Sequence, residues 1–255
     1  MKNLKVIKIG GNVIDNPDAL EAFLEAFAAI PGAKILVHGG GAIASATLKN
    51  MGIEPVMIEG RRVTDAATLK VVTMVYAGLI NKGIVASLQK YGCNAIGLSG
   101  ADGNALTSVK RPATPIDYGF VGDVKSVNAS TFETLLSAGM TPVVCAINHD
   151  GAGQLLNTNA DTVASCTAVA MSRMYDTELV LCFEKDGVLM DKDDETSVIP
   201  AIDKPMFEKL KAEGRVNAGM LPKLKNAFDA IDSGVKSVII KNSAKLSDNS
   251  GTVIR

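Results

Sequence analysis

Histidine and cysteine are scarce in this sequence, and their spacing is not that of a metal site. There are two histidines, His38 and His149, and four widely separated cysteines without any CxxC pair. The cysteines mostly lie in apolar runs, which is typical of buried free thiols. With so few ligands available, we expect no metal held by the protein itself.

An excess of charge of either sign is also lacking. The 26 basic and 27 acidic residues give a formal net charge of -1, and no basic run is present that would neutralise a row of nucleic-acid phosphates. The first nine residues lack the apolar segment of a signal peptide, and no later stretch reads as long enough to span a bilayer. We therefore expect a cytoplasmic protein that binds neither nucleic acid nor membrane.

The N-terminal half repeats one order of elements. A short strand rich in β-branched residues runs into a glycine cluster and then into a segment of helical period, with strands at residues 5–9, 34–37 and 95–98. This alternation predicts a three-layer α/β/α sandwich around a mainly parallel open sheet. Ligands of such sheets bind outside the carboxyl ends of the strands, where these glycines lie.

A second series of strands and helices begins near residue 177. A chain of 255 residues lies near the size at which one core divides, so we expect one continuous domain with two lobes, residues 1–176 and 177–255, separated by a cleft. Residues 106–127 predict hairpins that project from the main sheet. The apolar stripe within residues 65–91 predicts a long helix, which serves either as a dimer interface or as an internal helix.

Two glycine clusters are candidate phosphate or anion sites. In the first, Lys8 precedes Gly10 and Gly11, whose bare backbone lets phosphate oxygens approach the amides. A lysine exposed beside a turn is the alternative. In the second, residues 39–41 stand between a strand and a helix, where anions bind readily. Together with Ala44 and Glu59 they also match the fingerprint of a dinucleotide-binding dehydrogenase.

Charged and polar residues follow in three further segments. Arg62, after Arg61, is suited to holding a carboxylate through its planar guanidinium group, although a solvated arginine is the alternative. Asn157 and Asp161 bracket the start of an apolar helix, which Asn159 is able to cap. Lys223 stands at the start of another helix, where the dipole disfavours a cation unless an anion binds there.

Taken in order, these segments resemble the amino acid kinase family, and within it the branch of arginine biosynthesis. The matching segments are residues 8–11, 38–41, 60–64, 119–123, 157–161 and 219–223, so the likeness spans nearly the whole chain. Single motifs among these are weak signals, whereas the ordered set is specific. The resemblance implies that ATP, carrying Mg²⁺, phosphorylates the side-chain carboxylate of an N-acylated glutamate.

The resemblance also implies roles for individual residues. Lys8 and Lys223 are the catalytic lysines, which Asp161 holds in place. Gly40, Gly41, Arg62 and Asn157 bind the acylglutamate. The nucleotide is expected at Gly10, Gly11, Glu184, Lys185, Asp186, Gly187, Val188, Leu189, Arg215, Val216, Asn217 and Met220.

The chain departs from the family pattern after residues 179–182. The family usually has a small hydroxyl residue and an aspartate there, whereas this chain has Phe183 and Glu184. It also begins almost directly at the first predicted strand, without the N-terminal helix that the resemblance associates with arginine-inhibited hexamers, so we expect a homodimer without strong arginine feedback.

Alternative functions stay open at this level. They are another kinase of the same fold, a catalytically silent sensor, and the dehydrogenase. The acyl group is also open between acetyl and succinyl, since Ile58, Lys110 or Arg111 is placed to serve an extra carboxylate or merely to face water.

Overall fold

The computed structural model describes residues 1–191, 193–213 and 220–255. In chain order, the strands are β1 (Lys2–Ile9), β2 (Ala33–His38), β3 (Met57–Ile58), β4 (Arg61–Arg62), β5 (Ala95–Leu98), β6 (Leu106–Lys110), β7 (Gly122–Val127), β8 (Thr141–Cys145), β9 (Ile147–His149), β10 (Leu155–Asn157), β11 (Tyr175–Phe183), β12 (Ala201–Ile202), β13 (Ser237–Asn242) and β14 (Thr252–Ile254).

The α-helices are α1 (Gly11–Ile14), α2 (Pro17–Ala29), α3 (Gly41–Asn50), α4 (Ala66–Thr73), α5 (Asn81–Lys90), α6 (Ala129–Ser137), α7 (Ala160–Met171), α8 (Lys204–Ala212) and α9 (Leu221–Asp232). A π-helical stretch, Met74–Ile80, joins α4 to α5, so that Ala66–Lys90 is one continuous helix of 25 residues.

Eight strands form the central sheet, in the order β12-β14-β13-β11-β1-β2-β8-β5. Its pairs are parallel except for β13 with β14. Both faces of β1 are buried, because Leu4 and Val6 lie in one core and Ile7 and Ile9 in the other. Helices α6 to α9 cover the first face, and α1 to α5 cover the second. The predicted three-layer α/β/α sandwich with a mainly parallel sheet is therefore confirmed.

A smaller sheet projects from the main one. It has the order β10-β9-β6-β7, and the antiparallel pairing of β6 with β7 confirms the hairpin predicted within residues 106–127. Isolated bridges join Thr64 to Gly119 and Val121 to Asn157. These bridges bring Asn157 next to the segment that follows the β3–β4 hairpin, which carries Arg62.

The long helix Ala66–Lys90 lies against the sheet. Contrary to the sequence-based expectation, it is long and apolar enough by length and composition to cross a bilayer. Four residues of its predicted stripe, Leu69, Val72, Val75 and Tyr76, belong to the internal core, which accounts for most of the apolar pattern. Leu79, the fifth residue of the stripe, is 65% exposed.

Candidate active site

Lys8 lies near the end of β1, where the chain turns through Gly10 into α1. The side chain of Lys8 is buried, and its ammonium group is 2.9 Å from Oδ1 of Asp161, without the angle of a hydrogen bond. A Cβ atom on Gly10 would lie 3.2 Å from the carbonyl oxygen of Cys182, so the turn runs close to the end of β11. Lys8 is thereby held at the carboxyl edge of the sheet.

Asp161 reaches Lys8 from the first turn of α7. The side chain of Asn159 caps this helix by accepting a hydrogen bond of 3.0 Å from the amide of Thr162, as the sequence predicted. A carboxylate in the first helical turn is favoured by the helix dipole. The cap therefore sets where α7 begins, and with it the position of the Asp161 carboxylate.

Lys223 comes to the same place from the start of α9. Its ammonium group lies 3.6 Å from the centre of the Phe183 ring, and that of Lys8 lies 5.1 Å from the same centre. Burial lowers the pKa of Lys223, whereas the Asp161 carboxylate opposes this effect. The structure thus brings together Lys8, Asp161 and Lys223, which are far apart in the sequence.

Two cavities meet at Lys8. The first, of about 290 Å³, is lined by Lys8, Gly10, Gly11, Asn12, Val13, Phe183, Glu184, Lys185, Gly187, Met220, Lys223 and Ile240. The second, of about 250 Å³, is lined by Lys8, Ile9, Gly11, Gly39, Gly40, Gly41, Met57, Gly60, Arg61, Arg62, Tyr76, Val121, Ala146, Asn157, Thr158, Asn159 and Ala160. They share Lys8 and Gly11, so ligands in both would be neighbours.

Arg62 is a buried cation that lines the second cavity. Its Nη2 donates to the carbonyl oxygen of Gly41 at 2.8 Å and to Oγ of Ser45 at 2.7 Å. Its Nη1 is buried and has no hydrogen-bond partner. A buried guanidinium nitrogen without a partner is unfavourable unless an anion binds it. Asn157, whose amide group donates to Thr64 Oγ1 at 3.1 Å, lies in the same wall.

His38, the last residue of β2, holds the glycine loop that follows it. Nδ1 of His38 lies 2.9 Å from the Gly39 carbonyl oxygen, and Nε2 lies 3.0 Å from the amide nitrogen of Asn81. Complete burial lowers the pKa of His38 to about 4, so the ring is neutral at pH 7 and packed, as is usual for a strand histidine. Gly40 has a φ of 147°, a backbone conformation that residues with side chains rarely adopt, and a Cβ atom there would lie 2.1 Å from Cδ1 of Ile80. Glycine is therefore required at this position.

The predicted nucleotide residues divide into three groups. Gly10, Gly11, Glu184, Lys185, Gly187 and Met220 line the first cavity. Asp186, Val188 and Leu189 are absent from that wall: Asp186 pairs with Lys245 at 2.6 Å, and Val188 is buried. Their contact with a nucleotide stays a prediction. Arg215, Val216 and Asn217 lie outside the described residues.

The sequence reasoning missed three residues of the site. Ser45 accepts a hydrogen bond from Arg62. It follows Gly41 by one helical turn and so lies on the same face of α3, a spacing that could have indicated Ser45 as a site residue. Tyr76 was assigned to the apolar stripe, and its ring lies over the glycine loop. Phe183 was noted as a departure from the family pattern but received no role.

The residues considered for an extra carboxylate are placed differently from one another. Arg111 is paired with Asp123, and the Lys110 ammonium group lies 5.4 Å from the centre of the Phe120 ring. None of Ile58, Lys110 and Arg111 is among the described residues that line the second cavity, whereas Arg61 is.

Comparison with known proteins identifies the family. The sequence model of the amino acid kinase family matches residues 3–242. An acetylglutamate kinase of Cytophaga hutchinsonii is 58% identical over 241 residues, 94% of this chain and 91% of that protein. One from Bacteroides thetaiotaomicron is 52% identical over 254 residues, 100% of this chain and 99% of that protein.

A solved structure agrees with this assignment. The Streptococcus mutans protein smu.665 has a TM-score of 0.78 at 26% identity, covering 100% of this chain and 99% of that one. The dehydrogenase alternative is overturned, since Glu59 lies in the β3–β4 turn and the family model spans nearly the whole chain. The lysines, the glycine loops and the matches together show that this chain belongs to the amino acid kinase family.

Proposed function

We propose that this protein transfers the terminal phosphoryl group of ATP to the side-chain carboxylate of N-acetyl-L-glutamate, giving an acyl phosphate and ADP in arginine biosynthesis. The observation that carries this proposal is the pair of cavities that share Lys8, one lined by Lys223 and the other by Arg62. A phosphoryl donor and a carboxylate acceptor placed there would meet at Lys8, as in-line transfer requires. The acceptor is that of the relatives, which are acetylglutamate kinases.

The acceptor carboxylate needs no general base, because a side-chain carboxylate is ionised at neutral pH. The α-carboxylate of acetylglutamate is expected at the unpartnered Nη1 of Arg62, with Asn157 beside it. The amides of Gly40 and Gly41 then bind the end of the molecule that reacts. This orientation directs the γ-carboxylate towards Lys8.

The donor site supplies charge neutralisation. The two lysine ammonium groups are placed to stabilise the charge that spreads over the phosphoryl oxygens and the leaving oxygen in the transition state. Asp161 limits the repulsion between Lys8 and Lys223 and holds Lys8 in position. Gly10, Gly11, Glu184, Lys185, Gly187 and Met220 are proposed to contact the nucleotide.

Magnesium fits this site as an ion bound to the nucleotide. In the described part of the chain, no group of three or more His, Cys, Asp or Glu side chains is placed to hold a metal. Mg²⁺ commonly binds phosphates and keeps several waters, and it then reduces the negative charge of the ATP phosphates. The protein contributes lysines and amides around those phosphates.

Three broader features are part of the proposal. The acylglutamate and phosphoryl-transfer residues belong mainly to a lobe of residues 1–176, and the nucleotide residues to a lobe of residues 177–255. The exposed apolar residues Met74 and Leu79 of the long helix support a homodimer through that face. We place the enzyme in the cytoplasm, where its substrates for biosynthesis are available.

A hydroxamate assay tests the reaction. The protein is incubated with MgATP, hydroxylamine and acetylglutamate, and the acyl phosphate is trapped as a hydroxamate. Absence of hydroxamate with every acylglutamate would rule out the function. Succinylglutamate forms a second arm, because Arg61 in the cavity wall is placed to meet an additional carboxylate. Faster reaction of succinylglutamate would reassign the acyl group without changing the reaction.

A further inference from the structure

Phe183 lies close to both lysines of the site. It is the last residue of β11, and its half-buried ring lines the first cavity. The Lys223 ammonium group lies 3.6 Å from the ring centre, and the Lys8 ammonium group lies 5.1 Å from it. One aromatic ring therefore contacts both cations.

The two cations are supported unequally by carboxylates. Asp161 is 2.9 Å from Lys8, whereas Lys223 forms no salt bridge with any residue that the structure describes. Lys223 is half-buried, and burial lowers its pKa, as does the charge of Lys8, whereas the Asp161 and Glu184 carboxylates oppose this effect without forming a salt bridge with Lys223. A group in direct contact with the ammonium group therefore adds to its stabilisation.

The face of an aromatic ring is such a source, because its negative quadrupole attracts a cation within about 6 Å of the centroid. The attraction is strongest where water is excluded. We propose that Phe183 is a positioning residue that holds Lys223, and less closely Lys8, in the arrangement required for phosphoryl transfer. The inference rests on the proposed function, because that function assigns the roles of the two lysines. The cation–π contact itself is independent of it.

The position of Phe183 in the fold supports this role. As the last residue of β11, it lies in the wall of the first cavity together with Lys8 and Lys223. A large apolar ring beside a phosphate site has no use as a phosphate ligand, since it offers no hydrogen-bond donor. Its contact with two ammonium groups, by contrast, gives the ring a role in the site.

The experiment compares Phe183→Leu with Phe183→Tyr. Leucine keeps an apolar side chain and loses the π face, whereas tyrosine keeps the face. We expect Phe183→Leu to lower kcat for acetylglutamate about ten-fold, equivalent to about 1.4 kcal/mol of transition-state stabilisation, with KM for acetylglutamate within about two-fold. Phe183→Tyr should stay within about three-fold of the wild type.

Phe207→Leu is the matched control. Phe207 is buried and packs against Phe228, with ring centres 5.2 Å apart, away from the lysines. Its replacement should lower the melting temperature and leave kcat unchanged. Equal kcat for Phe183→Leu and Phe207→Leu, or an equal loss of kcat in Phe183→Leu and Phe183→Tyr, would overturn the proposal.

Nuclear magnetic resonance keeps the test independent of activity. In the wild type, the methylene protons next to the Lys223 ammonium group should be shifted upfield by the ring current of Phe183. The resonance is assigned by its loss in Lys223→Met, and Phe183→Leu should remove the shift. Unshifted lysine resonances would refute the contact, whereas wild-type protein that shows the shift but forms no hydroxamate would refute only the proposed function.

Discussion

Replacement of Lys8 by methionine tests the centre of the proposed mechanism. Methionine keeps a flexible apolar side chain of similar length but removes the ammonium group that both cavities share. The Lys8 ammonium group is 2.9 Å from the Asp161 carboxylate, and we take this as the distance to a phosphoryl oxygen. At that distance, a full negative charge attracts the ammonium group by about 6 kcal/mol at an effective dielectric constant of about 20. If about half a charge develops on the facing oxygens, the loss is about 3 kcal/mol.

We therefore expect Lys8→Met to lower kcat about 10²- to 10³-fold, which is the usual effect of removing one donor that stabilises transition-state charge. KM for acetylglutamate should change by less than about three-fold, because Arg62 and Asn157 are proposed to bind its other end. Steady-state kinetics by the hydroxamate assay, with both substrates varied, measures the two constants separately.

Lys34→Met is the control for this variant. Lys34 is also a buried strand lysine near an aromatic ring, but it donates to the carbonyl oxygens of Ala28 and Ile30 at 2.7 and 2.6 Å. Lys34→Met should lower the free energy of unfolding by about 1–3 kcal/mol, because a buried carbonyl oxygen is left without a hydrogen-bond donor. It should not lower kcat. If Lys8→Met raises KM at constant kcat, or lowers kcat no more than Lys34→Met does, the assigned role of Lys8 is wrong.

Three further predictions concern the acceptor, the pH dependence and the assembly. Arg62→Lys should raise KM for acetylglutamate about 30-fold through loss of a charged hydrogen bond of about 2 kcal/mol; an unchanged KM would place the α-carboxylate elsewhere. The pKa of His38 is lowered from 6.5 to about 4, so its contribution to stability is complete above about pH 6.5 and is lost as the pH falls towards 4, by about 3 kcal/mol. Urea titrations should show this loss in the wild type but not in His38→Asn, and equal losses in both would contradict it. Leu79→Glu should dissociate the proposed homodimer in analytical ultracentrifugation, whereas Met51→Glu, at another exposed apolar residue, should not; a monomeric wild type would refute the dimer.

The wild-type kinetics also bear on the division of the site. If the two cavities hold donor and acceptor, saturation with one substrate should leave binding of the other intact, because among the described residues the two walls share only Lys8 and Gly11.

Much of the fold was predictable because its signals are local. Strands rich in β-branched residues followed by glycine turns predicted β1, β2 and β5, and Asn159 caps α7 as expected. The long helix 66–90 was also foreseen. Its ability to satisfy the length and composition of a membrane span was overlooked because its apolar residues follow the helical period instead of one continuous run.

The sequence by itself determined the chemistry that is present: two lysines, a guanidinium group, glycine turns without side chains, and a carboxylate at a helix start. Only the tertiary structure decided how they meet. Lys8, Asp161 and Lys223 converge because β1 ends, and the helices α7 and α9 begin, at one edge of the sheet. Phe183 lies close to both lysines because β11 is the neighbour of β1. Such proximity depends on strand order, which no local pattern specifies.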